Sequence, residues 1–238
     1  MSEGDSSDQS GPASEEKCTE ASGGLSRSVS SSQTAPHQDL HRQLIRHAQR
    51  PFAKPIAAFN REAFDRVSRY LESIDRPLIL DSGCGTGDSS RLLARRFPDH
   101  WIVGIDRSAD RLYRQRAETP ANCLLVRADL VDFWRLARQH DWRPARHYLL
   151  YPNPEPKPRH FKRRFHAHPV FPDVVALGGR IESRSNWRVY LEELAQALAF
   201  HGRHSSIESI PDDETAITPF ERKYRASGQS LWRLISID

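Results

Sequence analysis

The sequence predicts an α/β fold built on a Rossmann-like sheet, and three features of one region predict it. The first is Leu78-Ile79-Leu80-Asp81-Ser82-Gly83-Cys84-Gly85-Thr86-Gly87, a short apolar run that breaks into three alternate glycines. A buried strand ending in such a loop delivers backbone N–H groups, clear of side chains, to a ligand lying over the carboxyl end of a parallel sheet. The second is the helical stretch Arg91-Leu92-Leu93-Ala94-Arg95-Arg96-Phe97, followed by a strand, Trp101-Ile102-Val103-Gly104-Ile105-Asp106, that ends in a carboxylate. The third is spacing: Asp106 lies 19 residues after Gly87, the separation at which a strand-end acid meets ribose hydroxyls in nucleotide-binding βαβ units. A glycine-rich turn alone is often only a tight connection; the order strand, loop, helix, strand, acid makes it a ligand cradle.

The 238 residues allow one such domain plus a tail. Hydrophobic residues make up 37% of the chain and the mean hydropathy is −0.68, so part of the chain is expected outside the core. Residues 1–38 hold Ser, Gly, Glu, Asp and Thr with almost no large apolar side chains, a composition that cannot repay the entropy of ordering, and read as a disordered tail. Residues 39–75 form a basic arm and helix: Leu40, Leu44 and Ile45 fall on a helical spacing among Arg42, Arg46, His47 and Arg50. Pro51 and Pro55 then bar a continuous helix. A second helix starts near Asn60 and carries Ala63, Phe64, Val67 and Leu71. The arm's cations suit either substrate phosphates or a solvated face.

From residue 76 to 238 the elements alternate. After the second strand, Ser108 caps a helix expected to reach Ala117, Cys123-Leu124-Leu125-Val126 forms a third strand, and Asp129 precedes a helix over 131–139. His147-Tyr148-Leu149-Leu150-Tyr151 is the fourth strand and Gly178-Gly179-Arg180-Ile181 begins a fifth. A helix over 187–200 and strands near 206–210 and 231–237 complete the chain.

The ligand class follows from position 88. A dinucleotide fingerprint places a pyrophosphate on the helix N-terminus, where Asp88 would repel it, so a ligand without phosphate is favoured. With Asp81 at the strand end, the loop resembles the Asp/Glu-x-Gly-x-Gly-x-Gly loop of class I S-adenosylmethionine-dependent methyltransferases. That resemblance implies a seven-stranded mixed sheet flanked by helices, S-adenosyl-L-methionine as cofactor, and Asp81, Gly83, Gly85, Gly87, Asp106 and Asp129 as its binding residues, with Asp129 near the adenine amino group.

The most specific text follows the fourth strand: Tyr151-Pro152-Asn153-Pro154-Glu155-Pro156-Lys157-Pro158-Arg159-His160-Phe161-Lys162-Arg163-Arg164. Four prolines in seven residues fix the loop's shape, and Lys157, Arg159, Lys162, Arg163 and Arg164 bring cations to the presumed reaction site. This stretch resembles the Phe-Pro-Asp-Pro-Trp-x-Lys-x-Arg-His-x-Lys-Arg-Arg signature of bacterial tRNA (guanine-N7)-methyltransferases. Ser185-Asn186-Trp187-Arg188-Val189-Tyr190 resembles that family's Thr-Asp-Trp-x-x-Tyr, and Thr218-Pro219-Phe220-Glu221-Arg222 its Thr-x-Phe-Glu-x-Arg-Gly. The resemblance implies methyl transfer to N7 of a guanine in tRNA, with Asn153 at the catalytic position and Lys157, Arg159, Arg163, Asn186, Thr218 and Glu221 binding substrate.

Two positions depart from the family pattern, with Asn153 and Asn186 where acids are expected. An amide offers one acceptor and a competing donor, so it cannot match the two donors of guanine's Watson–Crick edge as a carboxylate can. Glu155, in place of the family's aromatic residue, is a candidate for a displaced carboxylate. Two other readings stay open: a methyltransferase of this fold with another acceptor, and an RNA-binding homologue without turnover.

Composition agrees with a nucleic-acid partner. Only Lys17, Lys54, Lys157, Lys162 and Lys223 are lysines among the 35 basic residues, and arginine's planar fork binds phosphate bidentately and stacks on bases; codon bias would produce the same excess. The three cysteines, Cys18, Cys84 and Cys123, are too scattered for a disulfide framework or a zinc site. No stretch resembles a signal peptide or a membrane span. The chain is expected to be cytoplasmic, without a metal, and a monomer or weak dimer.

Overall fold

The computed structural model describes residues 26–72, 75–114 and 117–237. Helices α1 (Leu40–Gln49) and α2 (Ala58–Leu71) lead into β1 (Leu78–Ser82), α3 (Asp88–Arg96), β2 (Trp101–Asp106), α4 (Ala109–Tyr113), β3 (Cys123–Arg127), α5 (Leu130–Gln139) and β4 (Arg146–Leu150). Two 3-10 turns (Pro158–Arg163 and Phe165–Ala167) follow, then α6 (Phe171–Ala176), β5 (Arg180–Ser185), α7 (Arg188–Phe200), β6 (His204–Ser209), α8 (Pro219–Ala226) and β7 (Trp232–Ile237).

The seven strands form one mixed sheet, as expected, and their order is β3-β2-β1-β4-β5-β7-β6. Strands β1 to β5 run parallel, and β7 inserts antiparallel between β5 and β6. Connections diverge to opposite sides at the β1/β4 junction, which opens a crevice at the carboxyl edge of the sheet, where ligands of open α/β sheets bind.

Alternation along the strands divides the core. Ile79 and Ile102 belong to a cluster with Leu93 and Ala94 of α3, whereas Leu80 and Val103 join Phe64 of α2 and Phe133 and Trp134 of α5. The same two-residue period sends the last residues of β1 to opposite faces: Asp81 Oδ2 accepts from the hydroxyls of Ser89 and Ser90 in α3 (2.6 Å each), while Ser82 Oγ accepts from Trp134 Nε1 (3.0 Å). Gly104 in β2 lets α3 lie this close, because a Cβ there would collide with Ser90 Oγ.

Helix α2 buries Asn60, Ala63, Phe64 and Val67, the i, i+3, i+4, i+7 stripe of an amphipathic helix. It starts near Asn60, as expected, with Ala57 as the N-cap and Asn60 inside the first turn. The Asn60 amide ties the helix to the sheet edge, donating to Asp132 Oδ2 (2.7 Å) and accepting from the Asp129 N–H (2.9 Å). Helix α4 keeps its Ser108 cap but ends at Tyr113; residues 115 and 116 lie outside the described residues.

The expected tail needs a correction. Residues 1–25 lie outside the described residues, but 26–38 form a strap across the domain. The Ser26 N–H donates to Ser227 Oγ (2.8 Å), Gln33 Nε2 donates to the buried carboxylate of Glu193 (2.6 Å), and the His37 ring stacks on Phe161 at 4.2 Å between centroids. Composition measures apolar burial; this strap is held by polar groups that meet buried partners, which composition does not register.

Candidate functional site

Three acids stand at the carboxyl ends of three adjacent strands. Asp106 ends β2, is 4% exposed, and accepts from the N–H groups of Gly85 (3.0 Å) and Ser108 (2.8 Å). Asp129 follows β3, is half-buried, and caps α5 by accepting from the Val131 N–H (2.9 Å). Asp81 is fully buried, and although Ser89 and Ser90 occupy its Oδ2, its Oδ1 has no hydrogen-bond partner. Burial raises the Asp81 pKa against the pull of the two serine hydroxyls.

The glycine loop is shaped by this edge. Gly83 and Cys84 both donate to the Ile105 carbonyl (2.8 and 3.0 Å), and Gly87, at φ 78°, caps α3. A Cβ on Gly87 would sit 2.6 Å from Leu125 Cδ1, so both the backbone and the space there call for glycine. Asp88 is drawn sideways onto Arg91 (2.7 Å). The negative charge at the helix start is therefore partly neutralised, which weakens its expected repulsion of a phosphate.

The donor set of S-adenosylmethionine fits this edge. Its ammonium, ribose hydroxyls and adenine amino group are hydrogen-bond donors without a phosphate, and they would meet three carboxylates, one with an orphaned buried oxygen. Burial pushes the Cys84 and Cys123 thiols up, Cys123 to about 12, which disfavours the thiolate of either as a nucleophile.

Beyond β4 the loop turns through two non-glycine residues in the left-handed region, Tyr151 (φ 50°) and Glu155 (φ 44°). Such backbone costs on the order of 1–3 kcal/mol per residue and persists where surroundings over-determine it. Here the Tyr151 N–H donates to the Arg184 carbonyl (2.8 Å), Ser31 Oγ donates to the Pro156 carbonyl (2.5 Å), and Arg164 donates through Nε (3.3 Å) and NH2 (3.0 Å) to the Glu155 carbonyl. Arg164 is thus a buried clamp, its NH1 donating to both carboxylate oxygens of Glu193 (2.7 and 2.6 Å), and leaves the group of surface cations in which it was expected. The other four, Lys157, Arg159, Lys162 and Arg163, are exposed. The arm adds to this face: burial and the neighbouring Arg46 and Lys162 charges all lower the His47 pKa.

Asn153 is exposed; its Nδ2 donates to Glu155 Oε1 (3.0 Å) and its Oδ1 accepts from the Glu155 N–H (3.3 Å). Asn186, just past β5, donates to Gln229 Oε1 (2.8 Å), and Gln229 donates to the Ser26 carbonyl (2.8 Å). Thr218 and Glu221 are turned inward. Thr218 Oγ1 caps α8 by accepting from the Glu221 N–H (3.0 Å), and the Glu221 carboxylate, fully buried, pairs with Arg184 (2.9 Å). Tyr224 of α8 packs on Tyr151 at 5.5 Å between ring centroids, which brings the helix beside the β4 loop.

Sequence reasoning missed Glu193 and the strap, read Asn60 only as a helix start, and read Arg164 only as one of a run of cations. A Thr-Pro-x-Glu sequence is itself a helix-start signal, so α8 was within reach.

A family profile described as a putative methyltransferase matches residues 75–234. The chain belongs to this methyltransferase family. Among its relatives is a tRNA (guanine-N(7)-)-methyltransferase of Rubrobacter xylanophilus, 30% identical over 164 residues that cover 66% of this chain and 71% of the relative. The enzyme of that name from Staphylococcus epidermidis is 22% identical over 181 residues, covering 71% and 83%. A trans-aconitate 2-methyltransferase of Yersinia pestis is 33% identical over 116 residues, but these cover 48% of this chain and 36% of that protein. The solved 16S rRNA methyltransferase KamB superposes with a TM-score of 0.52 at 18% identity, covering 79% of this methyltransferase and 99% of KamB. An antibiotic-related methyltransferase gives 0.52 at 14% identity, covering 72% and 92%. These two structural likenesses are of fold. The fold and the fitting acids make S-adenosylmethionine the cofactor of this methyltransferase.

Proposed function

We propose that this chain is a tRNA (guanine-N7)-methyltransferase, moving a methyl group from S-adenosylmethionine to N7 of a guanine in tRNA. The observation that carries the reading is a juxtaposition. The carboxyl edge that presents Asp81, Asp106 and Asp129 continues, past the β1/β4 crevice, into a proline-fixed loop and its exposed cations Lys157, Arg159, Lys162 and Arg163. The relatives that match most of the chain are named for this activity.

The cofactor, when bound, supplies a methyl group already activated on a sulfonium centre. Guanine N7 is a lone pair without a proton, so the chain's task is placement in a water-poor pocket rather than removal of a proton. Asp81, Asp106 and Asp129, with the backbone of Gly83, Gly85 and Gly87, would hold the cofactor's donor groups. Asn153 would meet the base at the end of β4 and Asn186 at the end of β5. Thr218 and Glu221 would act by fixing the start of α8 against β5, and Lys157, Arg159 and Arg163 would hold tRNA phosphates.

The reading includes a cytoplasmic protein working as a monomer or weak dimer; among the described residues no helix is long and apolar enough to cross a membrane. Transfer of labelled methyl from S-adenosylmethionine into unmodified total tRNA tests it. The intact chain should label tRNA and Asp106→Ala should not; equal labelling by both would remove Asp106 from the cofactor site.

A further inference from the structure

We propose that Glu155 is the carboxylate that selects guanine, accepting hydrogen bonds from N1–H and the 2-amino group on the base's Watson–Crick edge. This rests on the functional reading above and extends it to a residue to which that reading gives no role.

A guanine held for attack through N7 must be told from adenine, and its N1–H and 2-amino donors together are matched by a carboxylate. Around the ends of β4 and β5 most carboxylates are already spent. Glu221 and Glu193 are fully buried against Arg184 and Arg164. Glu182 is paired with Arg184 at 2.9 Å, and Glu214 with both Arg184 and Arg233. Glu155 differs in place and in partners. It lies on the loop that leaves β4, its side chain is 20% exposed, and its nearest basic side chains are His160 at 3.3 Å and a largely exposed Arg163 at 3.7 Å. Its other oxygen takes the Asn153 amide N–H at 3.0 Å, so an arriving donor pair would replace weak or neutral partners.

The backbone supports the same assignment. Glu155 sits in the left-handed region at φ 44°, a conformation costly for a glutamate. Pro154 and Pro156 flank it, the Asn153 side chain accepts from its N–H in an Asx turn, and the buried Arg164 clamps its carbonyl. Strain held from three sides fixes where the carboxylate points before the base arrives, which is how a specificity group is preorganised.

The test compares the intact chain, Glu155→Gln, and Glu155→Gln combined with Asn153→Asp, which returns a carboxylate to the neighbouring position. Substrate is unmodified total tRNA, read as kcat/KM for 7-methylguanosine, with S-adenosylmethionine affinity and thermal midpoint measured on each protein. Glu155→Gln should lower kcat/KM by about tenfold to a hundredfold, the cost of losing a charge-assisted hydrogen bond, with affinity and midpoint unchanged, and the double variant should recover most of the loss. Full activity in Glu155→Gln overturns the assignment. So does a loss accompanied by weaker cofactor binding or a lower midpoint, or a double variant no better than the single one, because each makes Glu155 a loop anchor. If the intact chain forms no 7-methylguanosine, the functional reading fails first and this inference with it.

Discussion

At Asp106, one carboxylate holds the loop and, in the proposed function, the cofactor: it accepts from the Gly85 and Ser108 N–H groups and so sets the curvature of the loop. Asp81 and Asp129 share this doubling, one bonded to α3 and the other capping α5. The places of the three acids at the strand ends were legible in the apolar pattern, and their cofactor role was implied by the resemblance. Gly104 was not legible, since its meaning depends on a helix that arrives from elsewhere in the fold. Replacing it by Ala would drive a methyl group into Ser90 Oγ and against Leu125, and would push α3 off the strand and Ser90 away from Asp81. Overpacking of this kind costs about 1–3 kcal/mol. Chemical denaturation of Gly104→Ala should show that loss together with weaker S-adenosylmethionine binding; an unchanged unfolding free energy would mean that α3 does not sit as close as described.

Among the elements, the loop after β4 depends on distant parts of the chain. Its prolines announced a fixed shape, but what fixes it is Arg164, and Arg164 is held by Glu193 of α7 and Gln33 of the strap. Neither partner is near in sequence, so the cationic text around Arg164 read as surface. Helix α8 shows the converse: Thr218 and Glu221 read as substrate residues through their resemblance, and the structure also uses them as a helix cap and a buried ion pair. The strap leads to a prediction at this scale. Removing residues 1–38 deletes Ser31 and Gln33 from Pro156 and Arg164 and frees the loop, so methyl transfer to tRNA should fall at least about tenfold, the scale on which misplaced reacting groups lose rate. Cofactor binding, measured by titration calorimetry, should stay within about twofold, because the strap touches none of the three acids. Equal transfer by the truncated and full chains would remove the strap from the site.

Over the whole molecule, the strands and helices followed from period and punctuation and the mixed seven-stranded sheet from the resemblance, while the polar core could be read from neither. Two buried groups there link fold to pH. Burial, with the Arg203 charge, lowers the His147 pKa from 6.5 to about 3, so the unfolded chain binds more protons and stability falls as pH drops from about 6.5 towards 3. For Glu193, burial alone would raise the pKa; the His166 hydrogen bond and the Arg164 guanidinium reverse this and bring it from 4.5 to about 2. Its contribution is complete above about 4.5 and is lost as pH falls towards 2. Unfolding free energy should therefore decline in two overlapping windows, at up to about 1.4 kcal/mol per pH unit for each group. Glu193→Gln should remove the lower window and leave the upper one; a profile flat between pH 6.5 and 3 would contradict the buried neutral His147. Nucleoside mass spectrometry of tRNA treated with the chain and S-adenosylmethionine tests the proposed methyl transfer most directly. 7-Methylguanosine should appear as the new nucleoside, and a different methylated base, or none, would contradict the proposed activity.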